Sequence, residues 1–234
     1  MNAVLDIGGI PVDVIFKDIK NVHLSVYPPT GRVRISAPQR MSIENIRLFA
    51  ITKIGWIKKH QRQISRQSRE TPREFLERES HYLWGRRYLL TIKASSSTPS
   101  VTVGHRVLEL AVPEGASAEL REKVLLKWCR AELRKQATPL LTKWAKRLNV
   151  DVRHFHIQRM KTKWGSSSPS RKAVRLNLEL VKLPLECLDY VTLHEIAHFV
   201  VPNHGEQFRA LLDENLPGWQ HILDRLKEGP LPTI

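Results

Sequence analysis

The sequence predicts an α+β fold of mainly antiparallel strands and helices, with a C-terminal core built around a helix that carries His194-Glu195-x-x-His198. Three observations predict it. Short segments with apolar residues at alternate positions fall before residue 40, between 85 and 112, and between 151 and 181. Segments with apolar residues at helical spacing follow each of them. The chain of 234 residues, 41% hydrophobic with only two cysteines, is long enough for a sizeable core and has no disulfide framework.

The first strands are Val12–Phe16, His23–Tyr27 and Arg32–Ala37, with a turn at Pro28-Pro29-Thr30-Gly31, in the manner of a hairpin or meander. Pro38 ends the last of them. Ser42 is the N-cap of a helix whose apolar positions Ile46, Phe49, Ala50, Ile54, Ile57 and Ile64 continue to about Arg69. Its opposite face is basic, with Arg47, Lys53, Lys58, Lys59, Arg62 and Arg66. Residues 67–79 are charged and contain Pro72, as a linker or an exposed helical extension would.

A similar unit follows. Leu108–Val112 and Pro113 match Val33–Ala37 and Pro38, Ser117-x-Glu119 matches Ser42-x-Glu44, and Gly85–Ile92 can be laid on Gly9–Phe16 with a one-residue slip. Residues 1–70 and 80–148 are therefore expected to share a strand, strand, proline, helix plan. Ser95–Ser100 is a polar hairpin tip, and Thr138-Pro139 interrupts the second helix before Leu140–Leu148 continues with Trp144 on its apolar side.

Strands return at His154–Ile157 and Ala173–Val181, the latter with Val174, Leu176, Leu178 and Leu180 on one face. The next helix has Pro184 in its first turn and carries the motif. Val201-Pro202-Asn203 is its exit, and a last helix, about Gly205 to Asn215, turns Phe208, Leu211 and Leu212 inward.

His194 and His198, four residues apart on a helix, lie on one face and can reach one ion. Glu195 sits beside that face, better placed to take a proton from water than to bind the metal. His204, directly after the helix stop, is the preferred third ligand over Glu206, Glu214 and His221. The apolar helix could instead bury its histidines as core residues, but a third histidine beyond a helix stop favours the ion. Three imidazoles with an open fourth position suit catalytic zinc, whereas a structural site would want four protein ligands. His154 and His156 share a strand face but lack a carboxylate partner. Trp164 could line a cleft or pack on the core.

The charge is unevenly divided. Residues 1–150 hold 27 Lys and Arg against 13 Asp and Glu, and residues 151–234 hold 11 against 10. This predicts a basic N-terminal region, 1–150, able to attract nucleic acid or another acidic partner, and a nearly neutral catalytic core, 151–234. No run approaches the roughly 18 apolar residues of a membrane span, and Met1–Ile7 has no secretory signal character. A cytoplasmic chain with free, buried Cys129 and Cys187 and no membrane partner is expected.

Taken in order, Lys163-Trp164-Gly165-Ser166, Leu176-Asn177, Leu183-Pro184, Asp189-Tyr190-Val191, His194-Glu195-x-x-His198 and Asn203-His204-Gly205-x-x-Phe208 resemble the YgjP-like metallopeptidase family, a relative of the SprT-like zinc proteases. The resemblance implies a zincin-like core, zinc on His194, His198 and His204, Glu195 as general base and acid, and a protein or peptide substrate. It also implies that the strand before the active-site helix offers a backbone edge to an extended substrate. The chain has Ser167 where family members often have cysteine, and Val201 where the metzincins have glycine. A metal-dependent amidase, or a nucleic-acid-associated protein with an auxiliary metal site, are the alternative readings.

Overall fold

The structure, a computed structural model, describes residues 2–27, 30–66, 74–160 and 162–228. Residues 67–73 of the expected linker, and Pro28 and Pro29 of the expected turn, lie outside them. The chain forms two compact units, one within residues 1–69 and one within 70–232. Each has its own hydrophobic core.

In the first unit, β1 (Asn2–Asp6), β2 (Pro11–Lys17), β3 (His23–Tyr27) and β4 (Arg32–Pro38) form a sheet in the order β1-β2-β4-β3. The alternation buries Val12, Val14, Val33, Ile35 and Ala37 on one face, against Ile46, Ala50 and Ile57 from the helices. β3 and β4 form the expected antiparallel hairpin, but β2 joins β4 in parallel, so the three strands are not a meander. The Ser42 hydroxyl caps α1 (Ile43–Thr52) by accepting from Asn45 N at 3.3 Å. The single helix expected to about Arg69 is two, because Lys53 N turns back onto the Ala50 carbonyl before α2 (Ile54–Arg66) begins.

The second unit opens with β5 (Ser80–Leu83), β6 (Arg86–Ala94), β7 (Ser100–Val103) and β8 (Val107–Val112) in the order β5-β6-β8-β7. This repeats the antiparallel, parallel, antiparallel pairing of the first sheet. Gly8-Gly9 and Trp84-Gly85, all at positive φ, make the matching tight turns. The Gly9 and Gly85 correspondence holds at the turn, but the core register then moves: Val12 pairs with Val33, whereas Leu90, two residues further along its strand, pairs with Leu108. Ser95–Ser100 is not a hairpin tip. It joins β6 to β7 on the far side of β8, since β6 pairs with β8 in parallel.

α3 (Ala118–Arg147) runs unbroken through Pro139, contrary to the interruption expected there. Leu133 and Ala137 on one side of the proline, and Leu141 and Trp144 on the other, are all buried in one core. The Thr138 and Thr142 hydroxyls donate to the Arg134 and Thr138 carbonyls at 2.8 and 3.1 Å, which satisfies acceptors near the missing amide.

β9 (His154–Gln158), β10 (Gly165–Ser168) and β11 (Ala173–Asn177) form a third sheet in the order β10-β11-β9. β11 stops at Asn177, short of the strand expected to Val181. The Asn177 side chain accepts from Glu179 N at 3.2 Å and turns the chain into a 3-10 helix, Leu178–Lys182, with Leu178 and Leu180 still buried. α4 (Leu185–Ala197), α5 (Glu206–Asn215) and α6 (Trp219–Glu228) complete the unit. The fold is thus α+β with mixed sheets. Among the described residues, no helix is long and apolar enough to cross a membrane. Cys187 is buried, Cys129 half-buried, and both are free.

Candidate metal centre

α4 is held in place from three sides, because nearly its whole surface is apolar and nine of its thirteen residues are buried. At its start, the turn between β5 and β6 donates Trp84 N to the Val181 carbonyl and Gly85 N to the Lys182 carbonyl, at 2.8 and 3.1 Å. Gly85 lies so close to Pro184 that a β-carbon there would come within 2.8 Å of the ring. From α3, Trp144 Nε1 and Lys143 Nζ donate to the two oxygens of Asp189 at 2.6 and 3.3 Å. From α6, Arg225 pairs with Glu186.

His194 lies in the last turn of α4 and His198 is its C-cap. The helix therefore ends before Val201-Pro202-Asn203, and Val201 N closes the turn on the Ala197 carbonyl at 2.8 Å. The loop that follows returns His204 to the other two. One nitrogen from each ring lies within 4.8 Å of the others, and His194 Nε2 faces His204 Nε2 at 3.0 Å. Two ligands on tetrahedral zinc, each about 2.0–2.1 Å from the ion, would be roughly 3.3 Å apart.

Two of the outer nitrogens are engaged. His198 Nδ1 lies 3.3 Å from the Val201 carbonyl and His194 Nδ1 lies 3.4 Å from the Tyr190 hydroxyl. A carbonyl can only accept, so His198 carries its proton on Nδ1 and leaves Nε2 as a lone pair. Burial, and then its two histidine neighbours, pull His194 down to about 4, so it is neutral at pH 7. Burial also lowers His198. Beneath all three rings lies Phe208, 2% exposed, with its centroid 4.7–5.0 Å from each. Three imidazoles, two of them with seated outer nitrogens, over an apolar floor suit a transition-metal ion.

Glu195 projects beside the cluster onto β10. It is buried at 6% exposure and touches Gly165. Burial pushes its carboxyl up to about 7, against the Ser167 hydrogen bond and the Lys163 charge, which pull it down. Trp164 to Ser167 line the cleft on this side, a cavity of about 620 Å³ whose other wall includes Pro202, Leu223 and Leu226. Trp164 both lines the cleft and packs partly buried against the core.

Asn177 holds that loop. It donates Nδ2 to the Met160 and Lys163 carbonyls, both at 2.8 Å, and accepts from Met160 N at 3.2 Å. Its own amide donates to the Trp164 carbonyl at 2.9 Å. Neither this hub nor the α6 wall was visible as a site feature in the sequence. Tyr190, one helical turn before His194, could have been found by spacing. Among the described residues, Glu206, Glu214, His221, His154 and His156 join no metal-binding group, and the last two are exposed.

The YgjP-like, metallopeptidase domain family matches residues 20–229. The chain belongs to the YgjP-like metallopeptidase family. This YgjP-like chain is 28% identical to jannalysin of Methanocaldococcus jannaschii, whose metallopeptidase zymogen has a crystal structure. That similarity covers 38% of this chain and 92% of the other, with a TM-score of 0.36. The metallopeptidase zymogen of Pyrococcus abyssi abylysin is 20% identical over 41% of this chain and 98% of its own, with a TM-score of 0.37. No curated protein matches the YgjP-like chain.

Proposed function

We propose that this chain is a zinc-dependent peptidase with a zincin-like core, in which His194, His198 and His204 hold the ion and Glu195 is general base and acid. The observation that carries this reading is the convergence of three imidazoles beside one buried carboxylate in an open cleft. Zinc, when bound, would supply a Lewis acid that lowers the pKa of a water toward neutrality and polarises a carbonyl.

Glu195 takes a proton from the attacking water and passes it to the departing amine. A carboxyl whose affinity for protons is raised to about 7 is matched to both transfers near neutral pH. Ser167 fixes the carboxylate by donating to it, and Gly165 leaves the space it needs.

The substrate lies along β10. β11 cannot offer the edge expected of it, because it is the middle strand of its sheet, whereas β10 pairs with β11 alone among the described residues. An extended chain can add to Gly165–Ser168 by backbone hydrogen bonds, with little demand on its sequence. Trp164, Leu223 and Leu226 make the cleft suited to an apolar substrate side chain.

The test is zinc content and cleavage of an unfolded protein, for the wild type, His204→Ala and Glu195→Gln. Near-stoichiometric zinc that falls sharply in His204→Ala, with cleavage lost in both variants and on chelation, is the expected result. Hydrolysis of small amides only would replace the peptidase by an amidase. Full zinc in His204→Ala would overturn the ligand set.

A further inference from the structure

Among the described residues, the cleft beside the metal centre is lined by one carboxylate, Glu195, and one lysine, Lys163. Glu195 is buried and takes its hydrogen bond from Ser167, while Lys163 acts on it through its charge alone. Lys163 forms no ion pair among the described residues, whereas Arg159 pairs with Glu122 and Glu179, and Lys172 with Asp151. An exposed lysine is ordinarily a solvated surface group. This one differs in its place, because it lines the cavity of about 620 Å³ that also holds the histidines.

The backbone that carries the lysine is pinned. Asn177 Nδ2 donates to the Lys163 carbonyl at 2.8 Å, and the Asn177 amide donates to the next carbonyl, that of Trp164, at 2.9 Å. β10 begins at Gly165, so Lys163 and Trp164 stand in the loop before it, outside the alternation of a strand, and both line the cleft. A chain lying along Gly165–Ser168 passes the lysine at the Gly165 end. There the apolar surfaces of Trp164, Leu223 and Leu226 lower the local dielectric, which strengthens the attraction between an ammonium and a carboxylate.

We propose that Lys163 is a specificity-determining residue that binds a carboxylate of the peptide substrate, either an Asp or Glu side chain or the free carboxy terminus. An apolar side chain of the same substrate meets Leu223 and Leu226, and the carboxylate, at another position, meets the lysine. A substrate cation at that position is repelled. The proposal rests on the peptidase reading for the identity of the bound chain, whereas the binding itself needs only the cleft and the lysine.

The experiment uses a short labelled peptide, uncharged except for a single glutamate moved along its sequence, with its carboxy terminus free or amidated. Binding to the metal-free full chain is read by fluorescence anisotropy, and cleavage by the zinc-loaded chain as kcat and KM. Glutamate at one position, or the free terminus, should bind about tenfold tighter than its glutamine or amidated counterpart, and kcat/KM should follow through KM. Lys163→Ala should abolish the preference, Lys163→Arg should keep it, and Lys163→Glu should favour lysine at the same peptide position. Lys58→Ala removes an equal charge from the first unit and should leave the preference unchanged. Equal binding of charged and uncharged peptides by the wild type, or a preference that survives Lys163→Ala, overturns the proposal. An equal fall in kcat for every peptide in Lys163→Ala would make the lysine a transition-state group and overturn it too. A carboxylate preference in binding with no peptide cleaved would overturn the peptidase reading alone.

Discussion

Gly165 and Glu195 are packed so closely that a β-carbon on Gly165 would lie 2.6 Å from the Glu195 carboxylate. The glycine is needed for space, since its φ is not in the left-handed region. Gly165→Ala should therefore displace the carboxylate rather than unfold the loop. We expect a fall in kcat/KM of about 100-fold, with zinc retained and a stability loss of about 1–3 kcal/mol. Steady-state kinetics beside metal analysis checks this, and loss of the metal would place the damage at the histidines instead.

Phe208 touches all three imidazoles and is almost fully buried. Phe208→Leu keeps an apolar side chain but removes the flat floor that sets the ring orientations. Zinc affinity should fall by about tenfold or more, since groups that orient metal ligands commonly carry that weight. Competition with a chromophoric chelator measures it. An unchanged affinity would mean that α4 and the His204 loop orient the rings alone.

The Asn177 side chain makes four hydrogen bonds that hold the loop before β10 to the turn after β11. Asn177→Ala leaves the Met160 and Lys163 carbonyls without that donor and should cost about 2–4 kcal/mol in urea unfolding. Cleavage should fall while zinc stays bound, because the residue positions β10 and not the histidines. Wild-type kcat/KM in a destabilised protein would sink this assignment.

Burial raises the Cys187 thiol to about 11 and the Cys129 thiol to about 12, both from 9.0. In the unfolded chain each ionises near 9, so the folded state holds the protons longer. The stability this contributes is present below pH 9 and is lost as pH rises through the folded values. Unfolding free energy should fall above pH 9, by roughly 1 kcal/mol per pH unit for each thiol. Cys187→Ala should flatten that fall, and a profile identical to wild type would assign it to other groups.

The motif was legible in the sequence because it is local. His194 and His198 share a helix face by periodicity, and Pro202 forces an exit that brings His204 within reach. The N-cap at Ser42 was equally plain, since capping needs only three residues of context, and Ser117, its match in the second unit, caps α3 in the same way. Where context is distant, the reading failed. Pro139 predicts a break, but buried residues on both sides keep α3 whole. β10, whose Gly-Ser-Ser-Ser sequence has no apolar alternation, became a strand only by pairing with β11.

The sequence by itself determined the candidate metal-binding group and its neighbour: three imidazoles and a carboxylate at spacings that a helix and a turn convert into neighbours. Tertiary structure decided their setting. It made β10 rather than β11 the free edge, and put Gly165 against Glu195 and Phe208 under the histidines. The reason is physical. Helical periodicity and turn chemistry act over a few residues, whereas strand order, burial and the proton affinity of Glu195 depend on groups that only packing brings together.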